Sequence, residues 1–296
     1  MSQKDVVLIT GCSSGFGRYT AELLAESGYR VFATMRDVAG KNAPAAEALH
    51  NRAREQGYSL QVLELDVTDE ESVNGAVETA LRQAGKIDVA VNNAGIMAIG
   101  LLEGFTVDQA REMLEVNVLG PLRVNRAVLP SMRQRKSGLL IHISSIVGRI
   151  LFPFLGAYTA SKFALEALAE AYRYELARLG VDSVIIEPGA FLTRLAENAQ
   201  QPADEDRVRA YGPVADVPRQ MSENIGRQLT GPEAPDPREV ARAVLRLIQT
   251  PPGKRPLRTV VDRHPQGVER INQVCEEVQH QVLDMMGLAD LKTVHT

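Results

Sequence analysis

The chain has 296 residues, 45% of them hydrophobic and 24% charged, with a formal net charge of −4. That length buries a substantial core without disulfide or metal staples, and the acidic balance excludes a nucleic-acid binder that works through a broad basic field. The two cysteines, Cys12 and Cys275, lack metal-ligand spacing and suit a reducing compartment, and the five histidines form no cluster, so no metal site is expected. No apolar run approaches the ~20 residues that span a bilayer. The N-terminus leads into a strand almost at once and leaves no room for a signal peptide, so the expectation is a cytoplasmic protein without a membrane span.

Val6–Ile9 is a continuous apolar run, the pattern of a strand buried on both faces. Thr10-Gly11-Cys12-Ser13-Ser14-Gly15-Phe16-Gly17 follows directly, and residues 19–27 then carry helical spacing that ends at Gly28. Strand, glycine-rich turn and helix in this order suit a pyrophosphate. Gly11, Gly15 and Gly17 permit close backbone approach, the helix start offers free N–H groups, and Ser13, Ser14 and Phe16 share the turn. The spacing is Gly-x-x-x-Gly-x-Gly, which departs from the commonest dinucleotide fingerprint. A second strand spans 31–35. At its end an acidic side chain would hold the adenosine ribose of NAD(H). Met35 occupies about that place instead, and Arg36 beside it suits a 2′-phosphate, with Arg18 adding charge nearby. NADP(H) is therefore the expected cofactor and NAD(H) the lesser alternative.

A helix at Ala43–Gln56, a third strand at 60–65, a helix at 73–84 and a fourth strand at 87–91 come next. Asp66, after the third strand, is a candidate for the adenine edge, with Val67 beside it, and Asp69 reads as a helix cap. The fourth strand ends in Asn92-Asn93-Ala94-Gly95. Small residues there let a cofactor lie flat against backbone, so Asn93, Ala94 and Gly95 join the nucleotide site. Residues 106–135 form a long helical stretch with Pro121 and Pro130 as expected kinks or breaks, and with Asn117 between Val116 and Val118. A fifth strand at 139–143, a helix continuing over 163–179 and a sixth strand at 181–186 follow, the last running into Glu187-Pro188-Gly189. Residues 190–237 are polar and rich in proline and glycine. They read as a substrate loop, partly helical around 204–210 and 218–228. A helix at 239–248 and a strand at 257–261 precede a C-terminal helical extension, 262–296. In it Val268, Ile271, Val274, Val278, Val282 and Met285 recur at helical spacing. This alternation predicts an α/β fold over residues 1–296, a single doubly wound Rossmann domain with a mostly parallel sheet and helices on both faces. Such sheets bind ligands at the carboxyl ends of their strands. The glycine turn, Arg36, Asp66, Asn93, Ser145 and Pro188-Gly189 all follow strand ends, so one site collects them.

The chemistry centres on Tyr158 and Lys162, four apart in a helical run and therefore on one face. An ammonium beside a phenol favours phenolate and draws its pKa down from about 10, which makes Tyr158 a general acid/base. Ser144 and Ser145, at the end of the fifth strand, place a hydroxyl for the same substrate oxygen. Met97, Phe152, Phe154 and Phe191 line the expected pocket around Ser145 and Tyr158. Their apolar character points to a lipophilic ketone or secondary alcohol as the small-molecule partner.

Thr10-Gly11-x-x-x-Gly15-x-Gly17, Asn92-Asn93-Ala94-Gly95, Asn117, Ser145, Tyr158-x-x-x-Lys162 and Pro188-Gly189-x-x-x-Thr193 together resemble the short-chain dehydrogenase/reductase family over residues 6–193, and less specifically to about 261. Local phrases at 8–15 and 160–166 are similar to its 17β-hydroxysteroid and retinol dehydrogenase branch, as is Thr34-Met35-Arg36. The resemblance implies an NADP(H)-dependent oxidoreductase acting on CH–OH groups. In it Tyr158 would exchange the proton, and Lys162 would lower its pKa and bond the nicotinamide ribose. Ser145, at the family's spacing from Tyr158, would hold the substrate oxygen. Asn117 would hold a water linking Lys162 to solvent, Thr193 would bond the nicotinamide carboxamide, and Pro188-Gly189 would shape its pocket. It further implies a homodimer or homotetramer through the helices near 106–135 and 158–179. Two other classes stand beside this one. A nucleotide-sensing regulator without catalysis would not need Ser145, Tyr158 and Lys162. A nucleotide-sugar epimerase or dehydratase would carry a larger C-terminal substrate domain.

Overall fold

Successive side chains of a strand point to opposite faces, and β1 (Val6–Ile9) uses both. Val7 and Ile9 enter one core, Val6 and Leu8 the other. The computed structural model describes residues 4–231, 234–263 and 267–295. Loop residues 232–233, parts 264–266 and 296 of the expected C-terminal extension, and residues 1–3 lie outside them. β2 (Arg30–Met35), β3 (Leu60–Glu64), β4 (Val89–Asn92), β5 (Gly138–Ile143), β6 (Val181–Pro188) and β7 (Arg258–Val261) complete a sheet of order β3-β2-β1-β4-β5-β6-β7. Every pairing among these strands is parallel.

On one face α1 (Gly15–Glu26), α2 (Ala43–Gln56) and α10 (Arg238–Gln249) bury Leu24, Leu49 and Leu247 against Val7, Ile9 and Val184. On the other, α3 (Glu70–Ala84), α5 (Gly120–Arg135) and α6 (Gly156–Glu175) close over Leu8, Ala90 and Leu140. Each fully buried leucine or isoleucine here contributes about 2 kcal/mol relative to an exposed one. Two covered faces are what continuous apolar strands require, and the doubly wound α/β architecture expected from the alternation is the one observed. Strand order reverses between β1 and β4, which opens a crevice beyond their carboxyl ends.

The 106–135 stretch divides where the prolines do not. α4 (Val107–Leu114) begins with a capping box in which Thr106 and Gln109 satisfy each other's backbone N–H. A π-type turn, Glu115–Leu119, joins it to α5. Pro121 sits in the first turn of α5, where a missing N–H costs nothing, and Pro130 lies inside the helix without ending it. The irregularity belongs to Asn117. Beyond β6, α7 (Arg194–Glu197), α8 (Glu205–Ala210) and α9 (Val217–Leu229) replace much of the expected loop, of which α7 had no clear signal. Its chain is tied back by Gln200, which pairs with Met97 and Ile99 through backbone bonds of 2.8 and 3.0 Å. The amphipathic α11 (Val268–Met285) follows β7.

Candidate active site

The glycine turn is a backbone lock. Thr10 Oγ1 accepts the N–H of Asn93 and of Ala94, both at 3.0 Å, and Asn93 Nδ2 donates to the carbonyls of Thr10 and Gly11 at 2.8 and 3.1 Å. The β4 turn is thereby fastened onto the β1 turn, across the point where strand order reverses. Gly11 has φ +73°, and a Cβ there would stand 2.8 Å from Ala94 Cα. A Cβ at Gly17 would meet the Asn93 amide and lie 2.5 Å from the Gly11 carbonyl oxygen. Thr10 was not among the expected site residues. Its signal was the Thr-Gly start of the turn. Asn93 is present as expected, with its side-chain amide spent on the turn.

Ser14 caps α1 in extended backbone with no side-chain bond to the helix N–H groups. Those donors and the positive end of the helix dipole face the turn, so the residues fit a dinucleotide pyrophosphate. Ser13 shares the turn. Phe16 turns its ring edge-on to Phe191, with centroids 5.4 Å apart. Thr193 is brought beside the turn, since a Cβ at Gly15 would lie 3.6 Å from Thr193 Cβ. Arg36 is exposed at the end of β2 and makes no ion pair among the described residues, while Asp37 binds the Lys41 N–H instead. Arg18 beside the turn pairs with Glu22 at 3.0 Å. Asp66 accepts both the N–H and hydroxyl of Thr68 on Oδ1, and the Val67 carbonyl accepts from Arg123 at 3.3 Å. Both therefore shape the turn after β3 with these atoms. Cys12, inside the glycine turn, is buried, donates to the Ile9 carbonyl and has its thiol pushed up to about 12 by burial, so it is inert.

Ser145, Tyr158 and Lys162 meet at the ends of β5 and β6. All three are buried, and Tyr158 is 5% exposed. Lys162 Nζ donates to the Ile143 carbonyl at 2.9 Å and lies 5.6 Å from the Tyr158 ring centre. Ser145 donates to the Pro188 carbonyl at 3.2 Å, which binds the β5 end to the Pro188-Gly189 turn. Gly189 packs against Asp262, leaving no room for a Cβ. The π-type turn aims Asn117 inward. Its Oδ1 accepts the Ile96 N–H, and its Nδ2 donates to the Ile96 carbonyl and to Ser161 Oγ, each bond 2.9 Å. Ser161 in turn donates to the Tyr158 carbonyl at 2.7 Å. Gly95 closes the group: a Cβ there would sit 3.2 Å from Asn117 Oδ1 and 3.9 Å from Lys162 Nζ. Such π-turns recur at functional sites, and this one had no sequence signal beyond a polar residue in an apolar helix.

The proton affinities differ from the sequence-based expectation. Burial raises the Tyr158 phenol above its ordinary value, with a Ser145 hydrogen bond opposing it. Burial lowers Lys162 to about 8, with Glu166 opposing it. The expected downward pull of Lys162 on Tyr158 gives way because the phenol is desolvated and the ammonium is directed to a backbone carbonyl.

Beside Tyr158 lies a separate apolar cluster containing Ile146, Val147, Leu155 and Val268, with Met97 and Phe152 packed on it. Met221 of α9 joins it unanticipated, although Val217, Met221 and Ile225 recur at helical spacing. Phe191 goes elsewhere, into the core under α1, where it meets Phe16. Phe154 is half-buried outside the cluster, with φ +67° and its carbonyl accepting from Gly100 at 2.9 Å. Among the described residues no group of three or more His, Cys, Asp or Glu could hold a metal, and no helix is long and apolar enough to cross a membrane.

A glycine-locked nucleotide cleft abutting a buried Ser–Tyr–Lys group defines a nucleotide-binding oxidoreductase. A family model for short chain dehydrogenases matches residues 5–204. Estradiol 17-beta-dehydrogenase 1 of Rattus norvegicus is 38% identical over 252 residues, covering 83% of this chain and 71% of the relative. Retinol dehydrogenase 8 of Bos taurus is 33% identical over 257 residues, 82% and 77% of the two chains. Among solved structures, an alcohol dehydrogenase from the archaeon Thermococcus sibiricus complexed with 5-hydroxy-NADP superposes with a TM-score of 0.70 at 28% identity, over 87% of this chain and 96% of that one. The chain belongs to the short chain dehydrogenase family, and its relatives include the hydroxysteroid and retinol dehydrogenases whose motifs it resembles.

Proposed function

We propose that the protein is an NADP(H)-dependent oxidoreductase that interconverts a lipophilic ketone and its secondary alcohol. The observation that carries this reading is the convergence of Ser145, Tyr158 and Lys162 on the cleft lined by Gly11 and Gly95. The bound nicotinamide would supply or accept the hydride. Tyr158 donates a proton to the carbonyl oxygen during reduction and takes it back during oxidation, Ser145 holds that oxygen, and Lys162 keeps positive charge beside the phenol. Gly11, Ser13, Ser14, Gly15 and Gly17 would cradle the pyrophosphate, and Thr193 with Pro188-Gly189 would meet the nicotinamide end. Arg36 is free to pair with a 2′-phosphate, which supports NADP(H) over NAD(H), as does the 5-hydroxy-NADP carried by the alcohol dehydrogenase above. The apolar cluster at Met97, Phe152 and Met221 supports a steroid-, retinoid- or aromatic-ketone-like substrate, in keeping with the relatives' names. Assembly as a homodimer or homotetramer has support in Leu114, Leu119 and Phe163, which are exposed on the helices α4 to α6.

The test is a panel of ketones and alcohols run with each cofactor and read at the nicotinamide absorbance band. Higher kcat/KM with NADPH and with steroid-like or aromatic ketones is expected. A clear NADH preference removes the Arg36 assignment, and faster turnover of small polar ketones or sugars removes the pocket assignment.

A further inference from the structure

Behind Lys162 lies a second set of charges that the reaction above does not use. Glu166 stands one helical turn beyond Lys162 on α6, with its side chain 3% exposed. Arg258 of β7 donates Nε to Glu166 Oε2 at 2.9 Å and Nη2 to Glu170 Oε2 at 2.6 Å. The same Nε lies 3.5 Å from Oε1 of Glu187, a fully buried carboxyl on β6. Asn272 of α11 donates to Glu187 Oε2 at 2.5 Å, and Arg149 Nε donates to Asn272 Oδ1 at 2.8 Å. Oε1 of Glu166 and Oε1 of Glu187 have no partner at hydrogen-bonding geometry among the described residues. A Cβ at Gly148 would lie 2.8 Å from Ser144 Oγ and 3.3 Å from Glu166 Oε1, so both border the space that Gly148 leaves.

Two buried carboxyls facing one guanidinium nitrogen do not both ionise cheaply. Burial raises both. Arg258 opposes the rise in both, and Glu166 adds to that of Glu187. Glu166 is the nearer of the two to Arg258 Nε, at 2.9 Å against 3.5 Å, so its carboxyl is the one the guanidinium anchors directly. The groups facing Lys162 are Tyr158 on its own helix, His142 of β5, and Glu166 backed by Arg258, Glu187 and Arg149. His142 is held neutral, its pKa lowered to about 3 by burial and Lys162. Glu166 is the one charge among them that raises Lys162.

We propose that Glu166 is a positioning residue, whose carboxylate, anchored by Arg258, keeps the Lys162 ammonium charged. This rests on the reading of Lys162 as part of the catalytic group. It also gives the C-terminal helix a role, since Asn272 fixes the oxygen of Glu187 that Arg258 does not reach.

The test reads Lys162 directly and through turnover. In protein labelled with ε-¹³C lysine, the Lys162 resonance is assigned by its loss in Lys162→Arg and then titrated in each variant. The pH profile of kcat for ketone reduction with NADPH is recorded alongside. Glu166→Gln is expected to move the Lys162 midpoint, and the alkaline limb of kcat with it, down by about one pH unit. Glu187→Gln, which keeps Glu166 and its contact with Arg258, is expected to move both by less. Glu166→Asp, the milder variant if Glu166→Gln fails to fold, draws the charge back by one methylene and moves the midpoint the same way by less. Equal shifts in Glu166→Gln and Glu187→Gln overturn the proposal. So does an unmoved midpoint in a folded Glu166 variant, even where kcat falls uniformly as a structural role predicts. Failure of the functional reading looks different: the wild type turns over no ketone while Lys162 still titrates as described.

Discussion

The two ends of the cleft are built by different means. At the nucleotide end, position is enforced by backbone. Thr10 and Asn93 bolt two turns together, and Gly11 and Gly17 leave no volume for a side chain. At the end proposed to hold substrate, position comes from side chains drawn from distant segments, Met97 after β4, Phe152 after β5, Met221 on α9 and Val268 on α11. A backbone lock tolerates almost no substitution, whereas a packed apolar wall tolerates exchange of shape and answers with altered selectivity. Variants at the two ends should therefore fail in different ways.

The largest effect is expected where the two ends meet. Tyr158→Phe removes the proposed proton donor and keeps the ring that packs in the apolar cluster. Turnover of any ketone should fall by roughly 10²–10⁴-fold, while NADPH binding, followed by nicotinamide fluorescence, stays near wild type. Near-normal turnover in this variant would discard Tyr158 as the acid/base. Because burial raises the phenol, the wild-type reduction rate is also expected to hold level through neutral pH without a Tyr158 titration.

Next in size is Gly17→Ala. The added methyl must displace both the Asn93 amide and the Gly11 carbonyl, and the carbonyl is fixed backbone. The expected outcome is a rise in KM for NADPH of about tenfold or more, with a stability loss of about 1–3 kcal/mol in thermal unfolding. Relative rates among ketones should not change, because no wall residue moves. A variant that kept its NADPH affinity and instead altered ketone preference would contradict the division between the two ends.

That division also explains what the sequence could and could not tell. The strands and the nucleotide turns are local features. Apolar runs of four to six residues, glycines at fixed offsets and small residues after β4 each carry their own physical reason, so Gly11, Gly17 and Gly95 were legible. Tyr158 and Lys162 were legible because helical spacing alone puts them on one face. The π-type turn was not, since an Asn117 that will bond Ile96 and Ser161 looks like any amide in an apolar helix. The proton affinity of Tyr158 was misjudged for a related reason. Spacing reveals that an ammonium is near, while only the fold reveals how thoroughly the phenol is desolvated. The wall residues were least legible, because apolar side chains carry no mark of which core they will join.

Phe191 and Phe152 make the smallest test of the comparison, and the sharpest. Both were expected to line the substrate pocket. The structure places Phe191 edge-on to Phe16 beneath α1 and packs Phe152 against the cluster around Tyr158. Phe191→Leu should cost about 1 kcal/mol of stability through loss of the aromatic pair and raise the NADPH KM slightly by loosening Phe16 in its turn, with ketone preferences unchanged. Phe152→Leu should leave the NADPH KM alone and change the ratio of kcat/KM between a bulky and a slim lipophilic ketone by a few-fold, the scale of one or two methylene contacts. If the two variants exchanged these phenotypes, the Phe191 side would belong to the substrate wall after all, and the boundary between backbone-built and side-chain-built halves would have to be redrawn between β6 and α7.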